Sequence, residues 1–264
     1  MKYLFKEWRV VAPRLAGKFV MLFLDYDGTL APIAEEPGKT VFPKETKRLL
    51  GLLAKNPRCK VAIVSGRAVK DVKGLVGVGG IIYIGNHGLE VEGAREAFRA
   101  RLRAGYKAAL KGIKDALGRS LSAIGGILIE DKGPTVSVHY RLVGKGDLAA
   151  LKRAFRKVVR PYLLRKDVRI ISGKKVSEIR PPSAPDKGIA VQRLIDKEKK
   201  ARRGTEITAI YAGDDTTDED AFRRLRNSGL TVFIGRSRRA SGAQYYVRDV
   251  KELAILLNRL EKAL

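Results

Sequence analysis

An apolar run ends in "FLDYDGTL", Phe23 to Leu30, where two carboxylates stand two residues apart and Gly-Thr follows. Side chains two apart on a strand share a face, so Asp25 and Asp27 are expected to point the same way. Carboxylates placed like this repel each other unless a cation or a shared proton intervenes. A second acidic cluster, "GDDTTDED", Gly213 to Asp220, closes another apolar run. Oxygen-only clusters suit Mg²⁺, which takes carboxylates, a backbone carbonyl, water and phosphate oxygens. Two histidines and one cysteine are too few for the Cys/His cluster that zinc favours. Either acidic cluster alone has a plainer reading, a turn for the first and a dipole-complementing helix start for the second. Two of them, each at a strand end, point to metal-assisted chemistry on an anionic substrate.

The sequence also supplies a cradle for phosphate. Ser65 follows an apolar strand and offers a hydroxyl and a backbone N–H, and Gly66 lets the backbone approach closely. Lys187, in "APDKGIA", opens a helix, where its charge adds to the helix N-terminal field. A Ser-Gly pair is common and a lone lysine means little. Their weight lies in the order along the chain: acid, serine, lysine, acid cluster.

The elements that must position these groups read as strands alternating with helices. "KFVMLFLDYDG", "PRCKVAIVSGR", "GGIIYIGNHGLE", "EITAIYAGDD" and "LTVFIG" are strand-like runs, with "AQYYVRD" near the end. Helical spacing lies in "KETKRLLGLLAKN", "VKDVKGLVG", "DEDAFRRLRNS" and "VKELAILLNRLEKAL". That alternation predicts an α/β fold with a parallel sheet covered on both faces, and a ligand beyond the carboxyl ends of its strands. The middle differs. A helix through "AREAFRARLRAGYKAALKGIKDALG" precedes "GGILIEDKG" and "PTVSVHYRL", and a helix in "DLAALKRAFRKVVRPYL" precedes "DVRIISG" and "KKVSEIRPP". This α-β-β-α-β-β order predicts an antiparallel sheet carrying two helices. Boundaries are expected near Gly93 and in the proline-rich "RPPSAPDKG".

Composition bounds the rest. The chain has 264 residues, 45% hydrophobic and 31% charged, as in globular proteins. No apolar run approaches the roughly 20 residues of a membrane span. The N-terminus interleaves charges with its apolar residues and makes a poor signal peptide. Cys59 is the only cysteine, so no internal disulfide can form, and a cytoplasmic location is expected. The net charge is +26, a field that attracts polyanions, anionic lipid and phosphorylated small molecules. Ala94 to Pro182 holds 22 lysines and arginines against 7 acids, more than half of that excess. Asparagine and glutamine are scarce, which hints at a hot-living source.

The ordered parts "DYDGT", Ser65, Lys187 and "GDDTTD" resemble the haloacid-dehalogenase superfamily of phosphatases. The stretches "DYDGTLAPI", "VSGR", "GNHGLE", "VHYR", "GKKVSEIRP", "KGIA" and "GDDTTDEDAF" resemble, in family order, the trehalose-6-phosphate phosphatase family. "GDDTTDEDAF" and "GNHGLE" are fairly specific, whereas "DYDGT" and Ser-Gly mark only the superfamily. The resemblance implies a Rossmannoid α/β core, residues 1–93 and 183–264, with an inserted αββαββ cap domain at 94–182. It implies that Asp25 attacks phosphorus while Asp27 serves as acid and then base, with Ser65 and Lys187 completing the catalytic set. It places Mg²⁺ on the Asp25 carboxylate, the Asp27 backbone carbonyl and Asp214, with Asp218 holding metal-bound water. Asp215 is expected to orient the site through Lys187.

On the substrate side, Glu130, Lys132, Arg141, Lys174 and Glu178 match positions implied to read sugar hydroxyls. Carboxylates accept from hydroxyls, and Lys and Arg donate to them. Gly66, Arg67, Asn86 and His87 are expected on the same ligand, and Thr29 as a turn residue that assists the phosphate. His139 is expected to pack or pair within the cap sheet, and Trp8 to anchor the N-terminus. The family often carries asparagine where Asp131 stands. The implied partner is a small sugar phosphate, with a trehalose-6-phosphate synthase as a protein companion, no membrane and a monomeric chain.

Two other readings fit the same residues less fully. Mannosyl-3-phosphoglycerate or sucrose 6-phosphate would keep the chemistry and change the substrate. A basic nucleic-acid-binding protein would use the charge, but no zinc finger, RNP-type aromatic motif or glycine-rich RNA loop is present, so specific nucleic-acid binding is not expected.

Overall fold

Along Phe19–Asp25 the buried side chains alternate between two apolar clusters. Val20, Leu22 and Leu24 join one, and Phe19, Met21 and Phe23 the other. A strand whose two faces are both covered reads as this kind of unbroken apolar run. The structure, a computed structural model, describes residues 1–33, 42–93, 96–173, 175–236 and 240–264. Lys174 therefore lies outside the described residues.

The first part of the chain forms β1 (Lys2–Tyr3), α1 (Trp8–Val11), β2 (Phe19–Asp25), α2 (Lys44–Lys55), β3 (Cys59–Val64), α3 (Val69–Val76), β4 (Ile82–Gly85), β5 (Glu90–Gly93) and β6 (Glu96–Arg99). The middle forms α4 (Tyr106–Leu121), β7 (Leu128–Asp131), β8 (Val136–His139), α5 (Leu148–Leu164), β9 (Arg169–Gly173) and β10 (Val176–Arg180). The last part forms α6 (Lys187–Ala201), β11 (Ile207–Gly213), α7 (Glu219–Leu225), β12 (Gly229–Ile234), β13 (Tyr245–Val247) and α8 (Val250–Ala263). Contacts divide the chain into two compact units, Met1–Arg99 with Pro185–Leu264, and Ala100–Ala184.

The first unit holds a nine-stranded sheet in the order β1-β13-β12-β11-β2-β3-β4-β5-β6. It is parallel as far as β4, and β5 and β6 continue it antiparallel. Apolar residues of α1, α2, α3 and α8 cover one face, and those of α6 and α7 the other. The two-sided parallel sheet expected from the alternating pattern is therefore present. Trp8 packs against the first cluster, and Arg259 lies over its ring.

The second unit is a four-stranded antiparallel sheet, β7-β8-β10-β9. Val136, Val138 and Ile179 share an apolar cluster with Leu110, Ile113 and Leu117 of α4 and Leu151 and Val159 of α5. One face of the sheet therefore carries both helices, as the αββαββ order predicts. The start of this region corrects the sequence reading. The expected helix through Ala94 to Gly118 is divided: Glu96–Arg99 is strand β6, and α4 begins only at Tyr106. Gly105 has φ +81°, a left-handed conformation that breaks the helix ahead of Tyr106. Phe98 pairs across strands with Val91, a contact that helical periodicity cannot show. Among the described residues, no helix is long and apolar enough to cross a membrane.

Candidate active site

Four parallel strands deliver the motifs to one edge of the first unit's sheet. Asp25 ends β2, Ser65 follows β3, Asn86 follows β4 and Asp214 follows β11. In register, Asp25 faces Val64 and Leu24 faces Ala212, so the strand ends are level. Alternation along β2 turns Asp25 to the same side as Phe19, Met21 and Phe23, the side covered by α6. Lys187 is the first residue of α6, whose N-cap Asp186 accepts a hydrogen bond from the Ile189 N–H at 2.7 Å. That cap fixes the helix start beside the acids.

Lys187 is 2% exposed, and its Nζ donates to Asp25 Oδ1 at 2.7 Å and to Asp218 Oδ1 at 2.8 Å. Burial works against its charge, but Asp218 and Asp25 outweigh that and hold its pKa above the ordinary lysine value. Asp218 is wholly buried. Its Oδ1 also accepts from the Tyr211 hydroxyl at 2.7 Å, and its Oδ2 accepts from the backbone N–H groups of Asp214 (3.0 Å) and Asp215 (2.9 Å). Four donors thus occupy the roughly four lone-pair sites of one carboxylate. Asp218 is a fixed anchor for Lys187 and for the 213–215 turn, and it leaves little capacity for the expected metal-bound water. The orienting acid hydrogen-bonded to Lys187 is Asp218 rather than Asp215. Asp215 instead shares a reciprocal capping box with Asp218.

The residues fit a divalent cation. One carboxylate oxygen from each of Asp25, Asp214 and Asp218 lies within 4.8 Å of the others. Three carboxylates against the single Lys187 ammonium leave an excess of two negative charges. Burial and the charge of Asp218 push the Asp214 carboxyl up to about 7. Burial, helped by Asp218 and Asp214, also raises Asp25 against the opposing pull of Lys187. A hard dication on this oxygen-only set would relieve that repulsion. Gly28, at φ +83°, packs so tightly on Asp214 that any Cβ would overlap its carboxylate. Thr29 is buried and donates to Asp214 Oδ1 at 3.1 Å, which ties it to the acid cluster.

The neighbouring loops are laced together. Asn86 N–H donates to the Arg67 carbonyl at 2.7 Å, and His87 N–H to the Ser65 carbonyl at 3.0 Å. Asn86 and His87 both have left-handed backbones, φ +49° and +54°, uncommon for residues with side chains. The buried Asn86 side chain is held by Glu90 Oε2 at 2.8 Å. Gly66 lies against the His87 ring where a Cβ would collide. Ser65 Oγ accepts from the Arg67 N–H at 3.1 Å. Arg67 grips Asp27 with two bonds of 2.7 Å, Nε to Oδ2 and Nη2 to Oδ1, and lies over the Tyr26 ring.

In the second unit, register makes a row. Glu130 faces Ser137, and Ser137 faces Glu178. Because Val136, Val138 and Ile179 point to the helices, these three point to the opposite face. Glu178 is 5% exposed and Ser137 1%. Glu130 Oε2 meets His139 Nε2 at 2.8 Å and lies 3.7 Å from the Lys132 ammonium. His139 thus pairs within its own sheet, as expected. Asp131 points the other way, pairing with Lys114 of α4 at 2.7 Å and accepting from the Gly133 N–H at 2.9 Å. Arg141 is exposed in the turn after β8.

Tyr211 and Ser137 were missed by the sequence reading. Tyr211 sits two residues before Gly213, on the same side of β11 as the residues packing on α6. A hydroxyl-bearing aromatic there is the only signal sequence offers. Burial, with the charge of Asp218, holds the phenol well above its usual pKa, so it remains a donor. Ser137 gives no signal until strand register places it between two glutamates.

A mostly parallel sheet with acids at its strand ends and the first lysine of α6 beside them, interrupted along the chain by an antiparallel α+β unit, defines a haloacid-dehalogenase-like fold. The fold matches a haloacid dehalogenase-like hydrolase from Bacteroides thetaiotaomicron with a TM-score of 0.67 at 14% identity, over 92% of this chain and 100% of that one. It matches the C-terminal domain of C. albicans trehalose-6-phosphate phosphatase with a TM-score of 0.82 at 20% identity, over 100% and 99%. Within that class, residues 23–251 match the model of the trehalose-phosphatase family, and the chain belongs to this family of phosphoric monoester hydrolases. It is 32% identical over 269 residues to probable trehalose-phosphate phosphatase 3 of Oryza sativa subsp. japonica, covering 96% of this chain and 72% of that protein.

Proposed function

We propose that the chain hydrolyses trehalose 6-phosphate to trehalose and phosphate through an acyl-phosphate on Asp25. The observation that carries this reading is the buried Asp25, held at a strand end by Lys187 and clustered with Asp214 and Asp218, in a trehalose-phosphatase chain. Asp25 attacks phosphorus as the bond to the sugar oxygen breaks, and Asp27 gives that oxygen a proton. Asp27 then takes a proton from water as the water attacks the acyl-phosphate, which frees phosphate and restores Asp25. Arg67 orients Asp27, and one of its two bonds must open when Asp27 carries its proton. Lys187 holds Asp25 in place and adds positive charge beside the transferring phosphoryl group. Mg²⁺, held by the Asp25 and Asp214 carboxylates and the Asp27 carbonyl, would supply neutralisation of phosphoryl oxygen charge. Glu130, Lys132 and Glu178 read sugar hydroxyls, with Arg141 and Lys174 as further donors.

The substrate assignment is tested by phosphate release from trehalose 6-phosphate, sucrose 6-phosphate and mannosyl-3-phosphoglycerate. Trehalose 6-phosphate is expected to give the highest kcat/KM, and equal values for all three would remove the assignment. Glu178→Ala separates sugar reading from general anion attraction. Losing a hydrogen bond to a charged group should lower kcat/KM for trehalose 6-phosphate about 10- to 150-fold. Turnover of p-nitrophenyl phosphate, which has no sugar hydroxyls, should hold. Equal losses on both would show that the row does not read the sugar.

Metal dependence has its own readout. Calorimetric titration of Mg²⁺ into the chelated protein should show one site that Asp214→Ala removes, and activity should vanish on chelation and return with Mg²⁺. Protons and cation compete for the same oxygens, and the Asp214 carboxyl sits at about 7, so affinity should fall as pH drops from 8 to 6. Full activity after exhaustive chelation would refute the metal.

A further inference from the structure

We propose that the Ala100–Ala184 unit carries a second binding site, for a small amphipathic anion, between α5 and the helix-facing side of its sheet. A half-open cavity of about 340 Å³ lies there, with the buried Val138, Leu151 and Val159 among its lining. Ser172 and Ser177 face each other across β9 and β10 on this side of the sheet, where Ile170 and Ile179 also point. Polar side chains at helix-facing positions work against packing unless they have a use. Within the described residues, the hydroxyls of Tyr140, Ser172 and Ser177 make no hydrogen bond, although all three line the cavity. Lys152 and Arg156 stand one helical turn apart on α5 at the same cavity, and neither has a carboxylate partner among the described residues.

The two sets of groups set the ligand's chemistry. Three hydroxyls and two cations suit one anionic head, a carboxylate or a phosphate ester. The apolar lining suits a hydrocarbon or aryl body. A bare sugar phosphate would leave that lining unmatched, and a neutral hydrocarbon would leave the cations unused. Strand alternation puts this cavity on the face opposite Glu130, Ser137 and Glu178, so it is separate from the proposed sugar-reading row.

The test is isothermal titration of sodium octanoate into the full chain. Saturable one-site binding is expected, with octanol and sodium acetate each weaker by about tenfold or more. Replacing both Lys152 and Arg156 by alanine should weaken octanoate by a similar factor. Replacing Lys199 and Lys200 of α6 by alanine removes the same charge elsewhere and should leave binding unchanged. If both double variants weaken binding alike, or acetate binds as well as octanoate, attraction to the net +26 charge explains the result and the proposal falls. Ser177→Leu, which fills the cavity, should abolish binding, with its melting temperature read alongside. If that variant is unstable, the double variant at the exposed Lys152 and Arg156 decides between the two outcomes. Absence of octanoate binding to the parent chain overturns the proposal outright.

Discussion

Asp25→Asn is expected to leave a folded protein whose turnover is lower by about four orders of magnitude or more. The amide nearly matches the carboxylate in shape, and its carbonyl oxygen can still accept from Lys187, so β2 and the start of α6 stay in place. The amide cannot form the acyl-phosphate, and it removes one of the three clustered carboxylates. Stability should not fall, because Asp25 is pushed up by burial against the pull of Lys187 and its charge is costly where it sits. Rapid-quench experiments with labelled substrate should trap phosphate on the parent protein and none on the variant. Turnover within tenfold of the parent would remove Asp25 as nucleophile.

Lys187→Met should be damaging in a different way, costing stability as well as rate. Lys187 is the ammonium bonded to both Asp25 and Asp218, at 3% side-chain exposure. Removing one member of a buried ion pair costs about 3–5 kcal/mol, because the partner charge is left uncompensated. The sign of the pH effect follows. Without the lysine, the folded-state pKa of Asp25 rises further above its unfolded value. A carboxyl raised in this way costs nothing below the unfolded carboxyl pKa of about 4 and destabilises progressively as pH rises. The gap in melting temperature between variant and parent should therefore widen from pH 5 to pH 8. Turnover should fall as well, since Asp25 loses its orienting bond. A variant as stable as the parent at pH 8 would show that Lys187 does not balance these acids.

Much of the core was legible because its signals are local. Asp25 lies two residues after Phe23 in a seven-residue buried strand, so periodicity alone gives its face. Lys187 follows Pro185 and Asp186, and the cap bond from Asp186 is short-range. Helix α4 was less legible, because β6 exists only through its pairing with β5. The charge of the inserted region was plain, but its meaning was not. The same lysines and arginines suit a polyanion surface, a sugar reader or an anion cavity until strand alternation sorts their faces.

The sequence by itself determined the chemistry on offer: paired acids, a serine and a second acid cluster at the ends of strands, and a lysine at the start of a helix. Spacing, apolar period and turn residues carry that information within a few positions. Only the tertiary structure decided which groups meet. It joined Lys187 to Asp25 across 162 residues, gave it Asp218 rather than Asp215 as second partner, and set Tyr211 on the same carboxylate. It closed Arg67 on Asp27 and aligned Glu130, Ser137 and Glu178 in one row. These pairings depend on strand order and register, and those are settled by packing both faces of a sheet at once rather than by any stretch of chain alone.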